Sequence, residues 1–246
     1  MNQILTVFKT FLVVLSLPGV AYSAQDTTDT SVNDWTGLYA GINAGFAFNR
    51  AQLKSQQLGF TNPSGTCNTK SDSSTFFPGL QLGYMHQFLD LVAGVESNII
   101  FNSQQDDKLN CICPQYTAVS DRFLFKRTMQ SSIKGRTGLA LNWNQRNLLP
   151  YLTAGASFIN TGLTYKNEGG DYYSNDTSRT GWLIGAGIEW SFSQNWSLRA
   201  EYSHTDYGNS INLNIPSVYG LQDPNGNARV SLNTNNISLA INYWIS

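Results

Sequence analysis

The chain has 246 residues with 15 Lys and Arg against 16 Asp and Glu, a formal net charge of -1, so no overall basic field recruits nucleic acid. Charged residues make up only 13%, about half of the roughly 25% usual in a soluble domain. A mean hydropathy of -0.24 excludes a bundle of membrane helices, which need ~18 or more consecutive apolar residues each.

Lys9 stands just before an apolar run from Phe11 to Val20, and Ala21-Tyr22-Ser23 places small residues at both cleavage-defining positions. This predicts a signal peptide over residues 1–23, cut after Ser23 or Ala24. The run is short and Pro18-Gly19 breaks it, which argues against an N-terminal membrane anchor. Residues 24–34, AQDTTDTSVND, are polar and aperiodic and read as a flexible leader.

From Trp35 onward, period-two alternation recurs eight times. The first strand sets Leu38, Ala40, Ile42, Ala44, Phe46 and Phe48 on one face, with Tyr39, Gly41, Asn43, Gly45, Ala47 and Asn49 on the other. Further strands are predicted over about 76–88, 90–102, 127–142, 149–160, 180–192, 196–208 and 234–246. Runs of ten or more residues exceed the ~5–6 usual in soluble sheets and match tilted strands that cross a bilayer. Glycine recurs on one face, as at Gly79, Gly83, Gly94, Gly138, Gly155, Gly185 and Gly187. A narrow barrel requires a small inner face, so the polar, glycine-rich side is predicted inside and the large apolar side toward lipid.

The connections alternate between long (about 50–75, 103–126, 161–179 and 209–233) and short, near Leu89-Asp90, Trp143 to Asn147 and Ser193-Gln194-Asn195. That rhythm belongs to an all-β, eight-stranded antiparallel up-and-down transmembrane barrel with short periplasmic turns and four long extracellular loops. Residues 35–246 form the barrel in this reading, with both ends, and the leader, on the periplasmic side. Trp35, Phe88, Trp143, Phe192, Trp196 and Tyr243 fall near the short turns and are expected to form the periplasmic aromatic girdle.

The segment Trp35-Thr36-Gly37-Leu38-Tyr39-Ala40-Gly41-Ile42-Asn43-Ala44-Gly45 resembles the opening of the small outer-membrane barrels: the outer-membrane protein A barrel, the opacity proteins and the porin-like surface antigens. Gly83-Tyr84, Val92-Ala93-Gly94-Val95-Glu96, Lys134-Gly135-Arg136-Thr137-Gly138-Leu139, Leu149-Pro150-Tyr151 and Arg199-Ala200-Glu201-Tyr202 are similar in the same way. The resemblance implies a location in the bacterial outer membrane, contact with its lipid and lipopolysaccharide, and insertion by the barrel-assembly machinery. It does not imply one activity, because members of the family differ mainly in their loops. Such barrels usually end in an aromatic residue, whereas here Tyr243 and Trp244 precede Ile245-Ser246.

Six charged residues fall on the predicted inner face: Glu96, Lys134, Arg136, Glu189, Arg199 and Glu201. Each lies roughly four to eight residues above a short turn, which places them in one layer in the lower half of the membrane. Three acids meet three bases, and mutual pairing is expected because a buried unpaired charge costs several kcal/mol. Glu96 and Arg136 are on neighbouring strands, as are Glu189 and Arg199. The layer reads as a salt-bridged plug in a lumen only wide enough for side chains, with a charged constriction for small solutes as the alternative.

Catalysis by a lipid-modifying barrel would need a Ser or Asp within reach of a His. The two histidines, His86 and His204, both have outward parity and stand at opposite ends of the barrel, so the chain is not expected to be an enzyme. No cofactor is expected. Cys67, Cys111 and Cys113 allow one disulfide in an oxidising compartment and leave one thiol over. Cys111-Ile112-Cys113 lacks the further ligands of a metal site. The loops are rich in Asn, Ser, Gly and Asp with aromatics such as Phe60, Tyr116, Tyr172, Tyr173 and Tyr219, a composition suited to a host surface or matrix molecule or to no dedicated ligand at all. The expected function is a structural, surface-exposed barrel open to an adhesin or antigen role; a small-solute porin is the runner-up.

Overall fold

The computed structural model describes residues 34–56, 66–101, 107–112, 120–143, 146–166, 172–208, 212–214 and 227–245. Chain contacts divide the protein into two units, Met1–Ser31 and Val32–Ser246. The signal peptide and nearly all of the predicted leader lie outside the described residues.

Alternating side chains give each segment one face for lipid and one for the lumen, and the backbone resolves into strand segments accordingly. These are β1 (Gly37–Gln56), β2 (Thr66–Phe88), β3 (Leu91–Phe101), β4 (Asp107–Ile112), β5 (Ser120–Leu139), β6 (Leu141–Trp143), β7 (Arg146–Lys166), β8 (Tyr172–Ser191), β9 (Trp196–Asp206), β10 (Asn212–Asn214) and β11 (Asn227–Ile245). Eight of them form the staves of one antiparallel sheet, in the order β1-β2-β3-β5-β7-β8-β9-β11, and β11 returns to β1. The short β4, β6 and β10 extend the pairing on β5, β7 and β11. Closure leaves no edge within the ring, the condition for sheet in a bilayer. Among the described residues no helix is long and apolar enough to cross a membrane.

At the closing seam Leu38 faces Ile245 and the ladder runs without a break to Gln56 opposite Asn227. On β1 the exposed apolar residues run from Leu38 to Phe48. Ten residues at ~3.4 Å each and a tilt near 40° span about 26 Å, the height of the apolar band of an outer-membrane barrel. Phe46, Phe48, Phe76, Phe101, Phe158, Trp182 and Tyr202 crown this band; Phe88, Phe192, Trp196 and Tyr243 border its lower end. Directly above Phe48 the outward position is Arg50, ion-paired to Asp72 at 3.0 Å with both side chains two-thirds exposed.

Six of the eight staves run beyond their predicted outer ends, while β3 and β9 stop within theirs. Residues 50–75 were expected to form a loop, yet β1 and β2 stay paired as far as Gln56 and Thr66, and β7 and β8 as far as Lys166 and Tyr172. Alternation stops where lipid stops, but backbone hydrogen bonding needs no apolar face and the ladder continues into the external part. A second difference is Trp35. It was expected in the lipid-facing periplasmic girdle but is only 2% exposed, its ring inside the barrel mouth. It precedes β1, where strand parity no longer dictates direction, and the apolar mouth takes the ring. Of Trp143 the structure describes the backbone in β6.

Candidate functional site: the charged layer of the lumen

Inward parity brings all six predicted charges into the barrel, each at most 7% exposed. They are carried by β3 (Glu96), β5 (Lys134 and Arg136), β8 (Glu189) and β9 (Arg199 and Glu201), so the layer draws on opposite walls. Glu96 is the hub. Lys134 Nζ stands 3.1 Å from it, Arg136 Nη1 3.3 Å, and Arg199 Nη1 is in direct contact. Arg136 also reaches Glu189 at 2.7 Å, and Lys134 also contacts Glu201. The expected neighbour pairing holds only in part. Glu189 and Arg199 are ladder partners, yet Arg199 crosses the lumen to Glu96 while Glu189 takes Arg136. A closed barrel this narrow places opposite walls as near as adjacent strands, so a long guanidinium on β9 can reach a carboxylate on β3.

Neutral groups at inward parity complete the layer. Tyr39 Oη donates to Glu96 at 2.5 Å and accepts from Arg136 at 2.8 Å. Tyr151 Oη donates to Glu201 at 2.7 Å, and its ring lies under the Arg136 guanidinium with 3.9 Å from Cζ to the centroid, a cation–π contact. Ser197 Oγ and Asn242 Nδ2 both donate to Glu189, at 2.6 and 2.7 Å. Gln81 accepts from Arg199. Two glycines make room for the tyrosines: a Cβ on Gly83 would lie 2.5 Å from the Tyr39 ring, and one on Gly187 would strike Tyr151. The signal that could have found the two tyrosines is a large polar side chain at inward parity whose ladder partner is glycine.

Below the charges lies an apolar floor of Trp35, Tyr39, Met85, Val92, Leu149 and Trp244. Trp35 meets Trp244 edge-on at 5.5 Å, and its backbone N–H donates to Gln87 Oε1 at 3.0 Å. Trp244 Nε1 donates to Ser197 Oγ at 3.0 Å, tying floor to charged layer. Above the charges is a small cavity of about 20 Å³ with Lys134, Glu201, Asn43, Asn98 and Asn236 in its lining and Phe77, Ile100 and Leu183 around it. Room for about one water remains in the described lumen at this level.

The histidines stay out of the lumen. His86 stacks on Phe88 at 4.2 Å, and His204 Nδ1 lies 2.8 Å from Asn235 Oδ1 beside Trp182. The backbone places Cys67 on β2 and Cys111 on β4, and Cys113 lies outside the described residues. So do Phe60, Tyr116 and Tyr219, while Tyr172 and Tyr173 sit on the backbone of β8.

The closed ring, the apolar band and the filled lumen agree with the comparison to known proteins, where the model of the outer membrane protein beta-barrel domain matches residues 12–243. The chain belongs to that family. It is a protein of the bacterial outer membrane. Among curated relatives, the barrel is 29% identical to a 25 kDa outer-membrane immunogenic protein of Brucella ovis, over 72% of either chain. It is 26% identical to a 31 kDa outer-membrane immunogenic protein of Brucella melitensis, over 80% of this chain and 79% of that one. Among solved structures, the outer membrane protein OprG of Pseudomonas aeruginosa superposes with a TM-score of 0.53 at 13% identity, covering 87% of this chain and all of that one, and so shares the fold.

Proposed function

We propose that this protein is a non-enzymatic, surface-exposed barrel that does not conduct, and that its recognition chemistry, as adhesin or antigen, resides outside the membrane. The observation that carries this reading is the lumen: six mutually paired charges and an apolar floor stand in series where a pore would have to run. Strand pairs that continue above the apolar band support it, because they hold external segments on a rigid base. The names of the Brucella relatives, which call those proteins immunogenic, lend support of the same kind.

A charged lumen layer also favours a second reading, a small-solute porin, since rings of ionisable side chains line many pores. Planar-bilayer recording of the refolded protein separates the two. The expected result is a silent bilayer, still silent with Glu96→Gln. Steady conductance of the wild type whose ion preference changes in Glu96→Gln would establish the porin instead. Binding to host cells that is lost on external-segment deletion, with the barrel still heat-modifiable on gels, supports adhesion; unchanged binding removes it.

A further inference from the structure

The outer surface of the barrel changes chemistry abruptly at the top of its apolar band. Phe46 and Phe48 on β1 and Phe76 on β2 stand about half exposed there, with Phe46 edge-on to Phe76 at 5.6 Å. The next outward position on β1 is Arg50, and its ladder partner on β2 is Asp72. Lys70, exposed, follows on β2 opposite Gln52. Further up, Lys54 of β1 is the ladder partner of Arg229 on β11. Alternation places all four cations on the outer face of three adjacent strands, β2, β1 and β11. Among the described residues, Asp72 is the single acid at the outward positions of those three strands above the rings. Asp206 on β9, opposite Asn233, marks the edge of the cluster.

At ~3.4 Å per residue and a tilt near 40°, Arg50 stands about 5 Å above the level of Phe48, Lys70 about 10 Å, and Lys54 with Arg229 about 16 Å. Exposed aromatic rings mark the boundary between hydrocarbon and water, so the cations begin in the headgroup layer and climb beyond it. The phosphate of a simple phospholipid lies at that boundary and meets the lowest cation alone. A staircase of cations is matched by a headgroup that carries negative charge at several heights. We propose that this face of the barrel docks a phosphorylated glycolipid of the outer leaflet, its acyl chains against the three phenylalanines and its anionic sugar headgroup along the four cationic positions. This gives the general lipid contact of the barrel a particular wall and a particular chemistry. The Arg50–Asp72 pair, with both side chains two-thirds exposed, is weak enough for a phosphate to compete for the guanidinium. A soluble polyanion would use the cations but gain nothing from the apolar shelf beneath them; an amphiphile uses both.

The test uses the full barrel refolded in detergent micelles and native mass spectrometry of the lipid it retains. The probes are lipopolysaccharide truncated to lipid A and inner core, the same molecule with its phosphates removed, and phosphatidylglycerol. The wild type is expected to keep the phosphorylated glycolipid and to hold the other two more weakly. Arg50→Gln with Lys70→Gln, and separately Lys54→Gln with Arg229→Gln, are expected to lower retention by about fivefold for each cation removed. All four positions stand above the lipid band, and heat-modifiability on gels confirms that each variant is folded. Arg122→Gln with Lys166→Gln, ladder partners on β5 and β7, is expected to leave retention unchanged. An equal loss in that variant would reduce the effect to diffuse charge and overturn the site. Equal retention of phosphatidylglycerol overturns the extended headgroup, and displacement of the glycolipid by a soluble sulfated polysaccharide at constant ionic strength overturns the lipid as occupant. None of these outcomes depends on whether the lumen conducts or the external segments bind a host surface.

Discussion

Arg136 shows how much one residue of the lumen carries. It bonds Glu189 and Glu96, donates to Tyr39 Oη and stacks on Tyr151, with a fully buried side chain. Removing one partner of a buried pair is costly mainly because the other charge is left behind. Arg136→Met is therefore expected to lower stability by about 3–5 kcal/mol in urea unfolding, since Glu189 keeps only Ser197 and Asn242 as donors. Adding Glu189→Gln to that variant is expected to restore part of the loss. Failure of the double variant to recover would mean that the stacking on Tyr151, and not the charge pair, carries the effect. The inward direction of Arg136 was legible from parity alone. Its reach past the neighbouring strand to Glu189, beside its bond to Glu96, was not, because strand spacing says nothing about what stands across a lumen.

Among the elements, the segment before β1 departs furthest from its sequence reading. Asp34 to Thr36 lie outside the strand, and three contacts hold them: Asp34 Oδ1 accepts the Thr36 N–H, Thr36 Oγ1 accepts the Gln87 N–H, and Gln87 Oε1 accepts the Trp35 N–H. This lashes the start of the barrel to the β2–β3 turn and sets the Trp35 ring on Trp244 of the last strand. Truncating a buried Trp to Ala costs about 3–5 kcal/mol in a closed core, so Trp35→Ala is expected to cost about 3 kcal/mol at this mouth. The check is the temperature at which the folded form is lost from heat-modifiability gels, with Trp35→Phe retaining most of the wild-type value. Loss of the same size in both variants would mean that a smaller aromatic ring cannot close the floor against Trp244. Elsewhere the elements were read well wherever lipid imposed a period of two. Their outer ends were missed at Gln56, Thr66, Lys166 and Tyr172, since water imposes no such period.

At the scale of the whole molecule, the barrel is inside out relative to a soluble protein. Its exposed surface carries Ile42, Leu152, Leu239 and Phe88, each about three-fifths exposed, while Glu189 and Arg199 are buried. The outward band is a lipid contact, and a charge there must enter hydrocarbon. Ile42→Arg, which falls within the band on β1, is expected to lower folding stability in lipid vesicles by about 2–4 kcal/mol. An unchanged value would move Ile42 out of the hydrocarbon layer and require a different placement of the band. The same inversion explains the composition: a low charged fraction without long apolar runs is what alternate exposure to lipid and lumen demands.

The amino-acid sequence alone determined the eight staves, the assignment of each face, the membrane location and the six charges that point inward. A two-residue period, repeated until the sheet closes, leaves no other consistent arrangement of apolar and polar side chains. Which charge meets which, the inward turn of Trp35 and the chain of amide hydrogen bonds from Glu189 through Asn242 and Gln81 to Asn43 were decided only by the tertiary structure. Many of those contacts join residues on strands that are not neighbours in the sheet, and their partners are chosen by the radius and stagger of the closed barrel, quantities that no local period encodes.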